Sequence, residues 1–233
     1  MTASRALVLF DIDGTLLRRA GPHHKEALIE GIRLVTGITT HLNGVPTSGM
    51  LDRDLIIQML RAAGYAEAGA NAAMNDIMTA CQLAYMSNCA QDLRAALCPG
   101  VRELLAELKN RGAVNGVVSG NLAEIGWKKL ELAGLRPYFS IGAFAQDGAT
   151  RARLARIAWE RARDAGLIEH SARVALIGDH MNDIEAAKAN GFQAIAVASG
   201  LTPAEDLARA GPDVLVESLC DLDINRLADA AVA

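Results

Sequence analysis

Several features that would place this sequence in a fibrous, disordered or membrane-spanning class are missing from it. Proline and glycine number 6 and 21 among 233 residues and follow no period, which excludes a collagen-like or proline-rich architecture. No window approaches the roughly 20 apolar residues that a membrane span requires. Because hydrophobic residues nevertheless make up 51% of the chain, we expect a folded protein with a sizeable core.

An excess of positive charge is also missing. Lys and Arg number 23 against 27 Asp and Glu, a net charge of −4, which disfavours a nucleic-acid partner. The few cysteines form no CxxC pair, and we expect all of them to be small buried hydrophobes in a reducing compartment: Cys81, Cys89, Cys98 and Cys220. The apolar run Ala6–Phe10 is too short for a signal-peptide core, so the sequence predicts a cytoplasmic protein without a membrane partner.

Common catalytic motifs are missing as well. The sequence has no HExxH or Cys/His zinc spacing, no Walker GxxxxGKS/T, no GxGxxG turn after a strand and no GxSxG elbow. The sequence therefore disfavours four classes of enzyme: zinc-dependent hydrolases, P-loop ATPases, dinucleotide-dependent oxidoreductases and serine esterases.

Short apolar runs alternate with helical patterns through most of the chain. The predicted strands are Ala6–Phe10, Val114–Val118, Arg173–Ile177, Ala194–Ala198 and Asp213–Val216, with a weaker one at Phe139–Ala143. The predicted helices between them are Val101–Arg111, Leu122–Ala133, Arg151–Ala165, Ile184–Asn190 and Pro203–Ala210. Strands apolar on consecutive residues are typical of a parallel sheet covered on both faces, so we predict an α/β, Rossmann-like core.

Residues 18–96 interrupt this alternation of strands and helices, and their sequence predicts helices only. Amphipathic patterns predict helices over His24–Thr36, Leu51–Ala63 and about Asn71–Leu97, the last with a Met- and Cys-rich stripe that we assign to helix packing. Gly37–Gly49 is predicted to be a loop or short hairpin with a tight turn at Asn43-Gly44. We therefore predict an α/β core of residues 1–17 and 97–233 and an inserted α-helical cap domain of residues 18–96.

Carboxylates follow two of the predicted strands. Asp11 and Asp13 come directly after the first strand, and Asp179 and Asp183 follow the run that ends at Ile177. Ligands of open parallel sheets bind at the carboxyl ends of the strands, so we expect these four side chains to converge. Such a concentration of negative charge requires a cation, and hard oxygen ligands suit Mg²⁺.

Groups suited to phosphate follow another strand. Ser119-Gly120-Asn121 ends the run at Val118 and precedes a helix, so a hydroxyl, an unhindered amide and a helix N-terminus are predicted to bind an anion together. Arg151 begins the next helical segment and offers a permanent positive charge, although spacing leaves Arg153 open as the residue in this role.

These motifs resemble those of the haloacid dehalogenase-like hydrolase superfamily, in particular its phosphoglycolate phosphatase-like phosphatases with a helical C1-type cap. The resemblance rests on Asp11–Leu16 (DIDGTL), Ser119-Gly120-Asn121, Arg151 and Gly178–Asp183 (GDHMND) in that order. Arg151 stands where Lys is commoner, and His180 stands where Thr is frequent.

The resemblance implies a Mg²⁺-dependent phosphatase. Asp11 is then the nucleophile that forms an aspartyl-phosphate, and Asp13 is the general acid and base. The metal ligands would be Asp11, the backbone carbonyl of Asp13, and Asp179, with Asp183 acting through water or by orienting its neighbours. Ser119, Gly120, Asn121 and Arg151 would hold the phosphate. Because residues 18–96 carry no net charge, we expect a small phosphorylated metabolite as the substrate.

Other reactions of the superfamily remain open at this stage. A phosphomutase would keep the same carboxylates, whereas a dehalogenase does not need Asp13 and a phosphonate hydrolase needs a cap lysine, for which the insert offers Lys25 alone. A non-catalytic binding protein on the same fold is a further alternative. The sequence leaves the oligomeric state open between monomer and homodimer. It also leaves open the role of His180 and of Arg18, Arg19, His23 and His24 near the expected hinge.

Overall fold

The fold was described from a computed structural model that covers residues 3–18, 20–45 and 47–228. Arg19, one of the predicted hinge residues, lies outside the described residues. Within these ranges, no helix combines the length and the apolar character that crossing a membrane requires.

The core is a six-stranded sheet with the strand order β3-β2-β1-β4-β5-β6, and every pairing in it is parallel. The strands are β1 (Ser4–Phe10), β2 (Val114–Val118), β3 (Ile141–Ala143), β4 (Ile168–Gly178), β5 (Gln193–Val197) and β6 (Val214–Val216). All six predicted strands are present, and β4 begins five residues before its predicted start. The α/β class with a Rossmann-like parallel sheet is therefore confirmed.

The helices cover both faces of the sheet and fill the insert. They are α1 (His23–Thr36), α2 (Asp52–Ala62), α3 (Glu67–Asn88), α4 (Val101–Asn110), α5 (Ala123–Leu132), α6 (Arg151–Asp164), α7 (Met181–Ala189), α8 (Ala204–Arg209) and α9 (Asn225–Ala228). Short 3₁₀ helices lie at Arg94–Ala96, Arg136–Tyr138 and Leu219–Asp221.

Strand β1 lies in the middle of the sheet and is buried from both sides. Leu7 and Leu9 belong to one hydrophobic cluster and Val8 and Phe10 to the other, as the two-residue period of a strand requires. The consecutive apolar residues of β1 thus face two helical layers, which is why the strand is apolar on every residue.

The long helix predicted for about Asn71–Leu97 is wrong at its C-terminal end. Helix α3 ends at Asn88, and Cys89 adopts an extended conformation with φ −100° and ψ 99°. Beyond it, the side chain of Asp92 accepts the backbone N–H of Arg94 and the backbone N–H of Leu93 reaches the carbonyl of Leu132 on α5. Leu93 continues the apolar stripe beyond the end of α3 because the chain packs against the core there. The apolar periodicity therefore extends further along the sequence than the helix does.

The stripe itself packs inside the protein, as predicted. Met74, Met78, Cys81, Tyr85 and Cys89 are all buried. The expectation for the cysteines was wrong at one position, because Cys220 is exposed in the 3₁₀ helix after β6 while the other three are buried. The predicted turn at Asn43-Gly44 is present, closed by a hydrogen bond from the N–H of Val45 to the carbonyl of Leu42.

The segment that enters the insert and the segment that returns from it lie next to each other. The N–H of Arg18 donates to the carbonyl of Ala96, and the N–H of Cys98 donates to the carbonyl of Leu16. This pairing supports the predicted division at residues 17 and 97, although the exact domain boundaries stay a prediction.

Candidate active site

Three carboxylates meet at the carboxyl edge of the sheet. Asp11 follows β1, where its N–H donates to the carbonyl of Ile177 at the end of the neighbouring β4. Asp179 follows β4, and Asp183 lies in the first turn of α7. One carboxylate oxygen from each of these residues lies within 4.8 Å of the others, and all three residues are buried. The structure therefore brings together three of the four predicted acidic side chains.

Burial and mutual repulsion disfavour the charged forms of these carboxyls. Desolvation, opposed by the guanidinium of Arg151, raises the pKa of Asp11 to about 7. Desolvation and the charges of Asp11 and Asp183 raise the pKa of Asp179 to about 8. The pKa of Asp183 is raised by burial as well. Such shifts indicate a site that lacks enough positive charge for its carboxylates.

The donor set fits a hard divalent cation. Oδ1 of Asp183 is buried without a hydrogen bond, and its ion pair with Nε of Arg151 at 3.3 Å leaves this carboxylate oxygen able to accept a further cation. Gly14 has φ +95°, and a Cβ there would lie 2.2 Å from Oδ2 of Asp179, so only glycine leaves room for this carboxylate. Oxygen ligands around a compact cavity are what Mg²⁺ prefers.

The fourth acidic residue, Asp13, has different partners. Its carboxylate accepts hydrogen bonds from the ammonium of Lys129 at 2.6 and 2.8 Å and from the side-chain amide of Asn121 at 2.8 Å. Burial alone would raise the pKa of Asp13, but the charge of Lys129 and the hydrogen bonds from Lys129 and Asn121 together outweigh it and lower that pKa. Asp13 is therefore an ionised carboxylate paired with a lysine that the sequence analysis did not single out.

The loop after β2 surrounds Asn121. Ser119 is fully buried, and its hydroxyl accepts a hydrogen bond from the Asn121 amide at 3.0 Å. Gly120 and Asn121 line a cavity of about 670 Å³ together with Asp11, Asp13 and Arg151. The predicted phosphate-binding loop thus borders the same space as the acidic residues.

The helix N-terminus predicted to bind the anion is already occupied. The N–H groups of Leu122, Ala123 and Glu124 donate to side chains instead: to Asp52 at 2.7 Å, to Gln146 at 3.1 Å and to Gln82 at 3.0 Å. Two of these acceptors come from the insert, which spacing within the α5 sequence cannot show, so anion binding by this helix N-terminus stays a prediction. Helix α5 also begins at Ala123, one residue later than expected.

Of the two candidate arginines, the structure places Arg151 in the site. Its Nη1 lies 3.0 Å from Oδ1 of Asp11, and its Nε lies 3.3 Å from Oδ1 of Asp183. Arg153 is exposed and pairs with Glu160 at 3.5 Å.

The segment of residues 49–52 joins the insert to the core. The side-chain amide of Asn182 donates to the carbonyl of Gly49 at 2.8 Å, and the N–H of Asp52 donates to the carbonyl of Gly120 at 2.7 Å. A Cβ at Gly120 would lie 2.4 Å from the carbonyl oxygen of Met50, so this close approach requires glycine. The insert is therefore closed over the site.

His180 contributes to that contact rather than to the acidic cluster. Its ring lies against Gly49 and accepts the N–H of Asn182 through Nδ1 at 3.2 Å, which caps helix α7. Burial and the charge of Arg151 lower the pKa of His180, consistent with a neutral ring in this role. His41 and His170 are exposed, as expected for residues without a functional partner.

The family profile of haloacid dehalogenase-like hydrolases matches residues 6–191, which is most of the chain. The chain belongs to this family.

Curated relatives of this hydrolase are phosphoglycolate phosphatases. One from Synechococcus elongatus is 33% identical over 131 residues, which is 54% of this chain and 57% of the relative. One from Nitrosococcus oceani is 30% identical over 138 residues, which is 59% of this chain and 60% of the relative. The matches therefore span less than two thirds of the length of these relatives.

Solved structures support the fold of this haloacid dehalogenase-like hydrolase. A predicted phosphoglycolate phosphatase from Haemophilus somnus has a TM-score of 0.66 at 22% identity, covering 95% of this chain and 97% of that one. A β-phosphoglucomutase from Clostridium difficile has a TM-score of 0.70 at 17% identity, covering 100% and 98%. At such identities the likeness concerns the fold alone.

Sequence reasoning missed two residues of this hydrolase that contact the site, Lys129 and Asp52. Lys129 carried a usable signal, because Ile125, Lys129 and Ala133 are spaced by four and share the apolar face of α5. A lysine on a buried face is rare without a partner and indicates a carboxylate opposite. Asp52 begins α2 and carried no comparable signal, because the N–H of Leu122 that it accepts lies on another element.

Proposed function

We propose that this protein is a Mg²⁺-dependent phosphatase that hydrolyses a small-molecule phosphate monoester through an aspartyl-phosphate. The observation that carries the proposal is the meeting of Asp11, Asp179 and Asp183 within 4.8 Å at a sheet edge that borders a cavity between the core and the insert. Membership of the hydrolase family and the similarity to phosphoglycolate phosphatases support the same reaction.

Asp11 is the proposed nucleophile. It lies at the end of the central strand, and its carboxylate faces the guanidinium of Arg151. In the first half-reaction an oxygen of Asp11 would form a bond to phosphorus while the bond from phosphorus to the leaving oxygen breaks.

Asp13 is the proposed acid and base. Because Asp13 is ionised in the free protein, it would first take up a proton from water or from the monoanion of the phosphate ester and would give this proton to the leaving oxygen in the first half-reaction. In the second half-reaction, the carboxylate would take a proton from the water that hydrolyses the aspartyl-phosphate. Both carboxylates line the cavity, and the side chain of Asp13, 41% exposed against 8% for Asp11, is the more accessible of the two.

Arg151, Asn121, Ser119 and Gly120 are the proposed phosphate-binding residues. Arg151 already bridges two carboxylates, and a phosphoryl group attached to Asp11 would lie within reach of the same guanidinium. Phosphoryl transfer depends mainly on such positioning and on charge neutralisation.

Asp11, Asp179 and Asp183, with the backbone carbonyl of Asp13, are the proposed ligands and positioning groups for Mg²⁺. The bound cation would neutralise charge on the phosphate and the nucleophile, which this carboxylate-rich site cannot do by itself.

The cavity favours a metabolite over a macromolecule. The insert supplies part of its wall, where Leu28, Leu42 and Leu55 combine with the cationic Arg18 and Lys25. We therefore propose a small anionic phosphate ester as the substrate, enclosed by the insert before reaction.

Phosphate release from 4-nitrophenyl phosphate, sugar phosphates, phosphoglycolate and nucleotides, with Mg²⁺ and with chelator, tests this function. We expect Mg²⁺-dependent turnover, and we expect Asp11→Asn to lower it by about 10⁴-fold or more because the nucleophile is lost. Circular dichroism of Asp11→Asn checks that the variant is folded. Turnover at the parental rate in Asp11→Asn, or release from macromolecular substrates alone, would contradict the proposal.

A further inference from the structure

A chain of polar contacts links the helical insert to Asp13. The ammonium of Lys129 that pairs with Asp13 also lies 3.1 Å from Nδ1 of His24. Nε2 of His24 lies 2.9 Å from Oδ2 of Asp52, and that same oxygen accepts the backbone N–H of Leu122 at 2.7 Å. The proposed chemistry uses Asp13 and leaves Lys129, His24 and Asp52 without a role.

Each contact in the chain has one direction. An ammonium only donates, so Nδ1 of His24 accepts from Lys129, and Nε2 of the neutral imidazole carries the proton that Asp52 accepts. Lys129 therefore has two acceptors, Asp13 and His24, which together fix the position of its ammonium.

This series of polar contacts crosses twice between the core and the insert. Lys129 and Leu122 belong to the core around α5, whereas His24 lies in α1 and Asp52 begins α2. The ring of Tyr85, from α3, meets the edge of His24 at a centroid distance of 6.3 Å. All three long helices of the insert thus contribute to the position of His24 or of its partner.

Burial makes the arrangement rigid. Lys129 is 1% exposed and Asp52 2%, so neither side chain is free to turn into solvent. Without His24, the long side chain of Lys129 would keep a charge but lose one of its two fixed contacts. Side chains locked in this way are the usual means of holding a reactive group in its working position.

We propose that Lys129 is a positioning residue for Asp13, and that His24 and Asp52 hold Lys129 in place when the insert is closed on the core. The inference rests on the proposed function, in which Asp13 protonates the leaving oxygen. It assigns the insert a second task besides enclosing the substrate, namely to align the acid–base carboxyl once the cavity is closed.

The dependence of kcat/KM on the leaving group tests this inference. Nitrophenolate leaves without a proton, whereas an alkoxide needs one, so misalignment of Asp13 affects alkyl phosphates selectively. Because kcat/KM covers steps up to departure of the leaving group, hydrolysis of the aspartyl-phosphate does not enter the comparison.

For Lys129→Met, which keeps an unbranched side chain, we expect kcat/KM for glycerol phosphate and phosphoglycolate to fall about 100-fold. For 4-nitrophenyl phosphate we expect a fall of less than about fivefold. His24→Phe, which keeps a ring beside Tyr85, and Asp52→Asn should show the same selectivity at about tenfold.

Two neighbours serve as matched controls. Lys128 is adjacent on α5 and pairs with Glu131 at 3.2 Å, and Asp54 lies on α2 two residues after Asp52. Lys128→Met and Asp54→Asn should keep the parental ratio between the two substrate classes. Thermal unfolding monitors folding, and if Lys129→Met does not fold, His24→Phe and Asp52→Asn carry the test.

Three results would overturn the inference. A parallel loss on both substrate classes would mean that Lys129 acts by attracting the substrate or by stabilising the fold. A parental ratio in both His24→Phe and Asp52→Asn would remove the role of the insert. If the parental protein releases no phosphate from either class, the proposed function itself fails, an outcome distinct from an altered ratio.

Discussion

The two acidic halves of the site differ in their electrostatics although they begin on the same strand end. Asp11 belongs to the half with Asp179 and Asp183, where burial raises the pKa values of all three carboxyls. Asp13, two residues later, belongs to the half with Lys129, which lowers its pKa. Residue type and chain position are almost the same, so the surroundings decide the difference.

The comparison teaches how one sheet edge can support two kinds of chemistry. The half with Asp11 has an excess of negative charge and therefore attracts a cation. The half with Asp13 is neutralised by a lysine from a neighbouring helix. In the proposed reaction, a metal ion would be directed to the first half, and the second half would keep a carboxyl for proton transfer.

Replacement of Asp13 should separate the two halves most strongly. We expect Asp13→Asn to lower kcat by about 10²- to 10⁴-fold while substrate binding is retained, because proton transfer is lost and the carboxylates around the metal remain. Steady-state kinetics checks the loss of kcat, and isothermal titration calorimetry with inorganic phosphate, the reaction product, checks that binding is retained.

Asp13→Asn should also be less stable than the parent, since it leaves the buried ammonium of Lys129 without its charged partner. The double variant Asp13→Asn with Lys129→Met is the control and should recover part of the lost melting temperature. A single variant as stable as the parent would contradict the pairing.

The half with Asp11 was predictable from sequence because it follows a local rule. An apolar run followed by Asp places a carboxylate at the end of a buried strand, and parallel strands end at the same edge. That rule located Asp11 and Asp179, with Asp183 four residues further along the chain. Arg151 came instead from its position at the start of a helical segment and from the family resemblance, and spacing left Arg153 open beside it.

The half with Asp13 was not predictable to the same degree. Periodicity shows that Lys129 shares a face with Ile125, but it does not show that Asp13 lies opposite. The acceptor for the N–H of Leu122 is Asp52, 70 residues away in the chain. Contacts between the insert and the core depend on how these two parts of the protein pack against each other. The hydrophobic pattern within either part does not specify that packing.

Arg151→Lys should weaken the half with Asp11 moderately. A guanidinium reaches Asp11 through Nη1 and Asp183 through Nε, whereas an ammonium offers a single point charge with a shorter reach. We expect kcat/KM to fall about 10- to 100-fold. Arg153→Lys on the exposed face of the same helix is the matched control and should leave kcat/KM unchanged; an equal loss in both variants would contradict the assignment of Arg151.

The smallest expected effect, a few degrees, concerns how pH changes the stabilisation by Mg²⁺. The folded, metal-free protein holds protons on Asp11 and Asp179, with pKa values of about 7 and 8, that the unfolded chain releases near 3.8. Their contribution to stability is therefore present at low pH and is lost as pH rises towards 8. Mg²⁺ binds the ionised carboxylates, so its increase in melting temperature should be larger at pH 8 than at pH 6. Differential scanning fluorimetry with Mg²⁺ or chelator at both pH values measures this, and Asp179→Asn should reduce the dependence. An equal gain at both pH values would show that these carboxyls are already ionised at pH 6, and the contrast between the two halves would then have to rest on the lysine alone.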